Sequence, residues 1–180
     1  MNIDTPGAAA PASPPATLEE FMTQALAMEL EAAQRYAELA DSMELHNNRE
    51  VGELFRKMSV IEGKHASQIM AQMGWTAAPA NARAPAWQGF DAAETVPTES
   101  LHYLMQPWHA LQLALAAEQR AESFFAHLVE VVVAEPVREA ARELLGEERE
   151  HVELIKGWLA RVPPPDPNWA EDPDPPRYDE

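Results

Sequence analysis

Two stretches of the chain carry a glutamate followed three residues later by a histidine, Glu62-Gly-Lys-His65 and Glu148-Arg-Glu-His151. On a helix that spacing puts both side chains on one face, about a turn apart. Two further glutamates, Glu29 and Glu118, interrupt helical patterns that are otherwise apolar on the same stripe. Carboxylate and imidazole together are ligand types for divalent transition metals. One Glu from each of two helices plus Glu-x-x-His from each of two others is the ligand set of a two-metal bundle site. The expected ligands are therefore Glu29, Glu62, His65, Glu118, Glu148 and His151. They would hold two metal ions, with iron expected and manganese or zinc as alternatives.

The elements that must position these residues follow from periodicity. Steps of three and four keep one helical face toward a core. The first helix then reads Leu18, Met22, Ala25, Glu29, Ala32, Tyr36, Leu39, Met43, and the second Val51, Phe55, Met58, Glu62, His65, Ile69. The third reads Leu111, Ala114, Glu118, Ala121, Phe125, Leu128, Val132, and the fourth Val137, Ala141, Leu144, Glu148, His151, Ile155, Trp158, Val162. Four buried carboxylates would repel one another and lose hydration worth several kcal/mol each. Two divalent cations would neutralise them. With a rise of about 1.5 Å per residue, antiparallel pairing brings the ligands of each helix pair to within about 3 Å of one level.

Boundary signals define the helices. Thr17 and Glu20 form a T-x-x-E capping box for a helix running to about Met43. The second helix is expected from after Asn47-Asn48 to near Gly74, and the third from after Pro97-Thr98 to about Val133. The fourth has Pro136 in its first turn and ends before Pro163. Residues 75–97 form a Pro/Ala/Trp-rich connection without helical period. Short, long and short connections describe an all-α bundle with one long crossover between helices two and three, the ferritin-like four-helix arrangement. The domain spans 17–162, between a disordered N-terminal segment (1–16) and an acidic Pro-rich tail (163–180). Trp169 and Tyr178 in that tail either dock on a surface or are solvated with the rest of it.

The two halves echo each other. Glu29 to Tyr36 parallels Glu118 to Phe125, and Glu62/His65 parallels Glu148/His151, at offsets of 89 and 86 residues. A duplicated helix pair would place the metals between the halves. A third pair, Glu99/His102, falls far from the ligand level and reads as a surface or capping feature. Glu122 is either a seventh ligand or outward-facing, while Glu31, Glu147 and Glu150 read as solvated. Tyr36 is either a core tyrosine or a group that hydrogen-bonds a ligand and relays electrons. His46, His109 and His127 miss the ligand level and read as surface or packing residues. Met22, Met28, Met58, Met70 and Met73 read as core filling, since a hard carboxylate site does not recruit thioethers.

Composition narrows the partners. The chain has 180 residues, 13 Lys+Arg against 30 Asp+Glu, and a formal charge of −17, so nucleic acid is not an expected partner. No apolar run reaches the ~18 residues of a membrane span, and the N-terminus lacks the regions of a secretory signal. No membrane partner and a cytoplasmic location are expected. Without cysteine there is no disulfide, iron–sulfur or thiolate site.

At these residues the chain resembles the rubrerythrin and bacterioferritin branch of the ferritin-like superfamily, over about 17–162. The resemblance rests on Glu29 followed by Tyr36, on Glu62/His65 and Glu148/His151, and on Glu118. It implies a non-haem di-iron centre with bridging carboxylates, Glu62 and Glu148 being the expected bridges, that reacts with hydrogen peroxide or O₂. Rubrerythrins carry a further carboxylate three residues after the third-helix Glu, where this chain has Ala121, so Glu122 would have to substitute. They also carry a cysteine-ligated rubredoxin domain. Here electrons would come from a separate donor protein. The expected function is peroxide reduction or ferroxidase chemistry in a homo-oligomer of at least two chains. The alternatives are iron storage or delivery, and oxygenation of an organic substrate in a pocket lined by Trp108, Leu111 and Phe125.

Overall fold

A computed structural model describes residues 14–82, 96 and 101–172. Within them lie four α-helices, α1 (Leu18–Leu45), α2 (Arg49–Met73), α3 (Pro107–Val131) and α4 (Glu135–Leu159). Each pair of consecutive helices forms a tight hairpin, α1 with α2 and α3 with α4, and packing within a hairpin is far more extensive than between hairpins. The long crossover joins α2 to α3. None of the described helices is long and apolar enough to cross a membrane.

Local chemistry accounts for the boundaries. Thr17 Oγ1 accepts the Glu20 N–H at 3.2 Å, and the Glu20 carboxylate accepts the Ala16 N–H at 3.0 Å. Between α1 and α2 the chain reverses through Asn47, whose φ of 60° is the left-handed conformation that asparagine tolerates. α2 stops at Gly74, at φ 67°, where a side chain would be strained. Gly52 serves a different end. A Cβ there would meet Glu44 Cγ at 3.0 Å and the Ala40 carbonyl at 3.4 Å, so its hydrogen lets the first hairpin close near its turn.

The third helix starts later than the sequence pattern suggests, at Pro107 and not after Thr98. Proline fixes its own φ and pushes the preceding residue out of the helical region, and Gln106 is extended at φ −99°, ψ 162°. His109 then caps the new end, its Nδ1 accepting the Gln106 N–H at 3.1 Å. The connection therefore runs from 74 to 106. Most of it, with Glu99, lies outside the described residues, as do residues 1–13 and Tyr178.

Apolar stripes meet in two clusters. One gathers the start of α1, the end of α2, the end of α3 and the start of α4, around Phe21, Leu26, Phe125 and Leu144. The other gathers the opposite ends, around Leu39, Phe55, Leu111 and Ile155. Every stripe residue from Met22 to Met43 is buried, but Leu18 is not, because it sits in the first turn beyond the packed ends. Met22, Met28 and Met58 are buried as core filling, with Met70 and Met73 packed against the first cluster. Leu111 and Phe125 belong to different clusters.

The tail docks through Trp169, which packs against the second cluster with its ring 4.0 Å from that of His109. Gln106 holds Asp166 by two hydrogen bonds, to its carboxylate (2.8 Å) and from its N–H (3.0 Å), and Tyr103 donates to Asp172 at 2.8 Å. His102 Nδ1 accepts the Leu104 N–H, a turn-capping role, while His46 and His127 are exposed.

Asn48 ties the turn between α1 and α2 to the end of the crossover. Its Oδ1 accepts the Val51 N–H at the start of α2, while Nδ2 donates to the carbonyls of Tyr103 (3.2 Å) and Met105 (2.7 Å). Asn48→Ala is expected to cost about 1–3 kcal/mol in urea unfolding, since it removes a cap and a donor together. Asn48→Asp keeps the cap and loses the donor, so its cost is expected to fall between wild type and alanine.

Candidate metal centre

The layer between the two apolar clusters is polar. Glu29 from α1, Glu62 from α2, Glu118 from α3 and Glu148 from α4 are each 1–2% exposed, and His151 is 7% exposed. The sequence places them there because a stripe at alternating three and four spacing stays on the core face whatever residue type occupies it. His65, one turn from Glu62, is the least shut away of the six, with its side chain 14% exposed.

Two compact groups of donors form. Glu62, His65 and His151 offer atoms within 4.8 Å of one another, and so do Glu118, Glu148 and His151. Glu29 adjoins the first group, its Oε1 lying 3.8 Å from His65 Nδ1. The corresponding pair in the second half is Glu118 Oε2 and His151 Nδ1, at 3.3 Å. The sequence repeat is thus a spatial repeat, and its two imidazoles stack with ring centres 4.5 Å apart. Tyr36 breaks the repeat. Its hydroxyl donates to Glu118 Oε1 at 3.5 Å, whereas the matching position in the other half is Phe125.

Burial and mutual repulsion shift the ionisable groups of this layer. Burial, then the charge of Glu118, hold the Glu148 carboxyl well above its ordinary range. Burial, then repulsion from His151, lower His65 to about 4, with Glu118 acting in the opposite sense. Glu148 Oε2 and His65 Nδ1 are buried without a hydrogen bond, a condition that costs stability unless another ligand takes them up. Hard carboxylate oxygens, borderline imidazole nitrogens and no sulfur fit iron, manganese or zinc. Ligands around such an ion at about 2.1 Å lie about 3–3.5 Å from each other, close to the separations seen here.

Of the other sequence candidates, Glu122 stands outside both groups. Its half-buried carboxylate accepts from Arg149 Nε at 3.1 Å, so it does not take the position that Ala121 leaves without a carboxylate. Glu31 and Glu150 are exposed, as expected. Glu147 is not. It is half-buried, with burial raising its pKa and His151 lowering it. The signal for it was its place one turn before His151 on the same helix. Gln24, 9% exposed with a buried Oε1 that accepts no hydrogen bond, was also missed.

A raised carboxyl pKa stabilises the folded state fully below the unfolded value of 4.5 and loses that contribution as the pH rises. Glu148→Gln removes this dependence. In chelator the variant is expected to unfold about 2–6 °C above wild type at pH 7, with the difference shrinking toward pH 5. Thermal unfolding followed by circular dichroism measures it, and an advantage that does not grow with pH would contradict the assignment.

Comparison with known proteins agrees with the geometry. The Rubrerythrin family model matches residues 20–159. A crystal structure of an uncharacterized conserved protein from Magnetospirillum magnetotacticum MS-1 is similar in fold, with 32% identity and a TM-score of 0.63. That match covers 83% of this chain and 98% of the other. No curated protein matches the chain significantly. With the match running through the four helices and the six candidate donors, the chain belongs to the rubrerythrin family and has its ferritin-like bundle.

Proposed function

We propose that this protein is a non-haem di-iron redox protein that reduces hydrogen peroxide or O₂, with electrons from a separate donor. What carries the reading is the meeting of six candidate ligand side chains from four helices in one layer, five of them buried, with Glu148 Oε2 and His65 Nδ1 left without hydrogen bonds. Glu29, Glu62 and His65 would hold one metal and Glu118, Glu148 and His151 the other. Two bound irons would supply the electrons for reduction of the oxidant and the charge that stabilises it.

The chain's own residues do the rest. The apolar clusters on either side keep bulk water from the layer, which strengthens every electrostatic interaction within it. Tyr36 donates its hydroxyl to Glu118 and in this reading hands on a proton or an electron. A separate electron donor is part of this reading, since these 180 residues hold no cysteine for a thiolate-ligated iron centre. A homo-oligomer of at least two chains belongs to the same reading.

Anaerobic loading of metal-free protein with Fe(II), followed by removal of loose metal, tests the centre. Wild type is expected to retain about two irons per chain, and Glu62→Ala/His151→Ala to lose them. Little iron in wild type would reject the reading. On the loaded protein, faster oxidation by peroxide than by O₂ would assign the oxidant. Tyr36→Phe is expected to keep the iron count while altering the optical spectrum of the oxidised centre, because the Glu118 carboxylate loses its donor. An unchanged spectrum would return Tyr36 to simple packing.

A further inference from the structure

The six donors are not equally distant from solvent. Side-chain exposure is 14% for His65 and 8% for His151, against 1–2% for Glu29, Glu118 and Glu148. The layer therefore comes nearest to water where the two imidazoles stack, at the seam between α2 and α4. One turn along that seam lies a crevice of about 20 Å³, walled by Gln68, Gln72, Glu143 and Glu147 over Met22 and Leu144. A space of that size holds one water-sized occupant. Gln72 Nε2 bridges the seam to Glu143 Oε2 at 3.3 Å.

Glu143, Glu147 and His151 follow one another at four-residue steps on α4, so each turn of about 5.4 Å brings the next ligand type closer to the site. Glu147 is near enough to His151 and Glu148 for their charges to interact. The seams within the two hairpins carry different groups. Arg149 places a guanidinium between α3 and α4 at the level of Glu148, paired with Glu122. In the first hairpin Ser59 is bonded to the Ala33 carbonyl at 2.8 Å.

From this asymmetry, and resting on the metal-binding reading above, we propose that the α2/α4 seam is the uptake route of the site. Glu147, with Glu143 outside it, acts as a transit ligand that hands a divalent cation to His65 and His151. A half-buried carboxylate strips part of the ion's hydration before the imidazoles take it. Its charge also concentrates cations at the mouth.

The test is the rate at which the metal-free full chain takes up Co(II), followed by its visible absorption in a stopped-flow instrument, with metal content measured at the end. Glu147→Gln, alone and with Glu143→Gln, is expected to slow uptake about ten-fold or more and to leave the final content unchanged. Gln68→Trp, which fills the crevice without changing charge, is expected to slow it as well. Glu139→Gln removes the same charge from an exposed position of α4 and is expected to behave as wild type. Uptake in wild type with unslowed Glu147 and Gln68 variants would overturn the route alone. Loss of final metal content in Glu147→Gln would overturn the transit role by making Glu147 a resident ligand. A wild type that takes up no metal would overturn the route together with the reading beneath it.

Discussion

Four carboxylates share one buried layer of this bundle, and their mutual repulsion and lost hydration set the terms for the remaining structure. Each would cost several kcal/mol if left unbalanced in an apolar core. The two clusters that flank the layer supply the opposing term, since each fully buried Phe, Leu or Met contributes about 1.5–3 kcal/mol. Phe21, Leu26, Phe125 and Leu128 on one side and Leu39, Met43, Phe55 and Leu111 on the other are all at 0–1% exposure. The polar layer is thus held in place by the packing at its two ends.

The near-repeat of the two hairpins gives the donor layer an approximate symmetry. Glu29 stands to His65 as Glu118 stands to His151, so each half offers an equivalent set of donors. Where the halves differ, the difference falls on the surroundings of the donors. Tyr36 gives Glu118 a hydroxyl partner that Phe125 cannot supply. Arg149 closes one seam, and the acidic and amide side chains of Glu143, Glu147, Gln68 and Gln72 line another. Two similar donor sets are in this way placed in unlike environments.

The end of the bundle that carries the crossover is closed by segments with little regular structure. Asn48 and Gln106 do this with side-chain amides, each reaching backbone or carboxylate groups far away in sequence. Trp169 adds an apolar contact over His109 and the second cluster. An acidic, proline-rich segment has few apolar residues with which to pack, and a single aromatic side chain serves as the anchor of its described part.

The sequence by itself determined the helices and the identity of the buried polar layer, because a period of 3.6 residues ties residue type to helical face irrespective of partners. Glu29, Glu62, Glu118, Glu148 and His151 were legible as core positions for that reason, and Thr17, Gly74 and Pro136 marked their own boundaries. Other features depended on groups that meet only when the hairpins pack. The closure of the bundle end by Asn48 on the carbonyls of Tyr103 and Met105 is one of them. Glu122 carries the same charge whether it faces the layer or Arg149, and only the rotation of α3 against α4 turned it toward the guanidinium. Glu147 reads as a solvated glutamate until α2 is laid beside it. Which imidazole stands nearest the solvent, and along which seam, likewise follows from distances between helices, and periodicity within one helix cannot encode them.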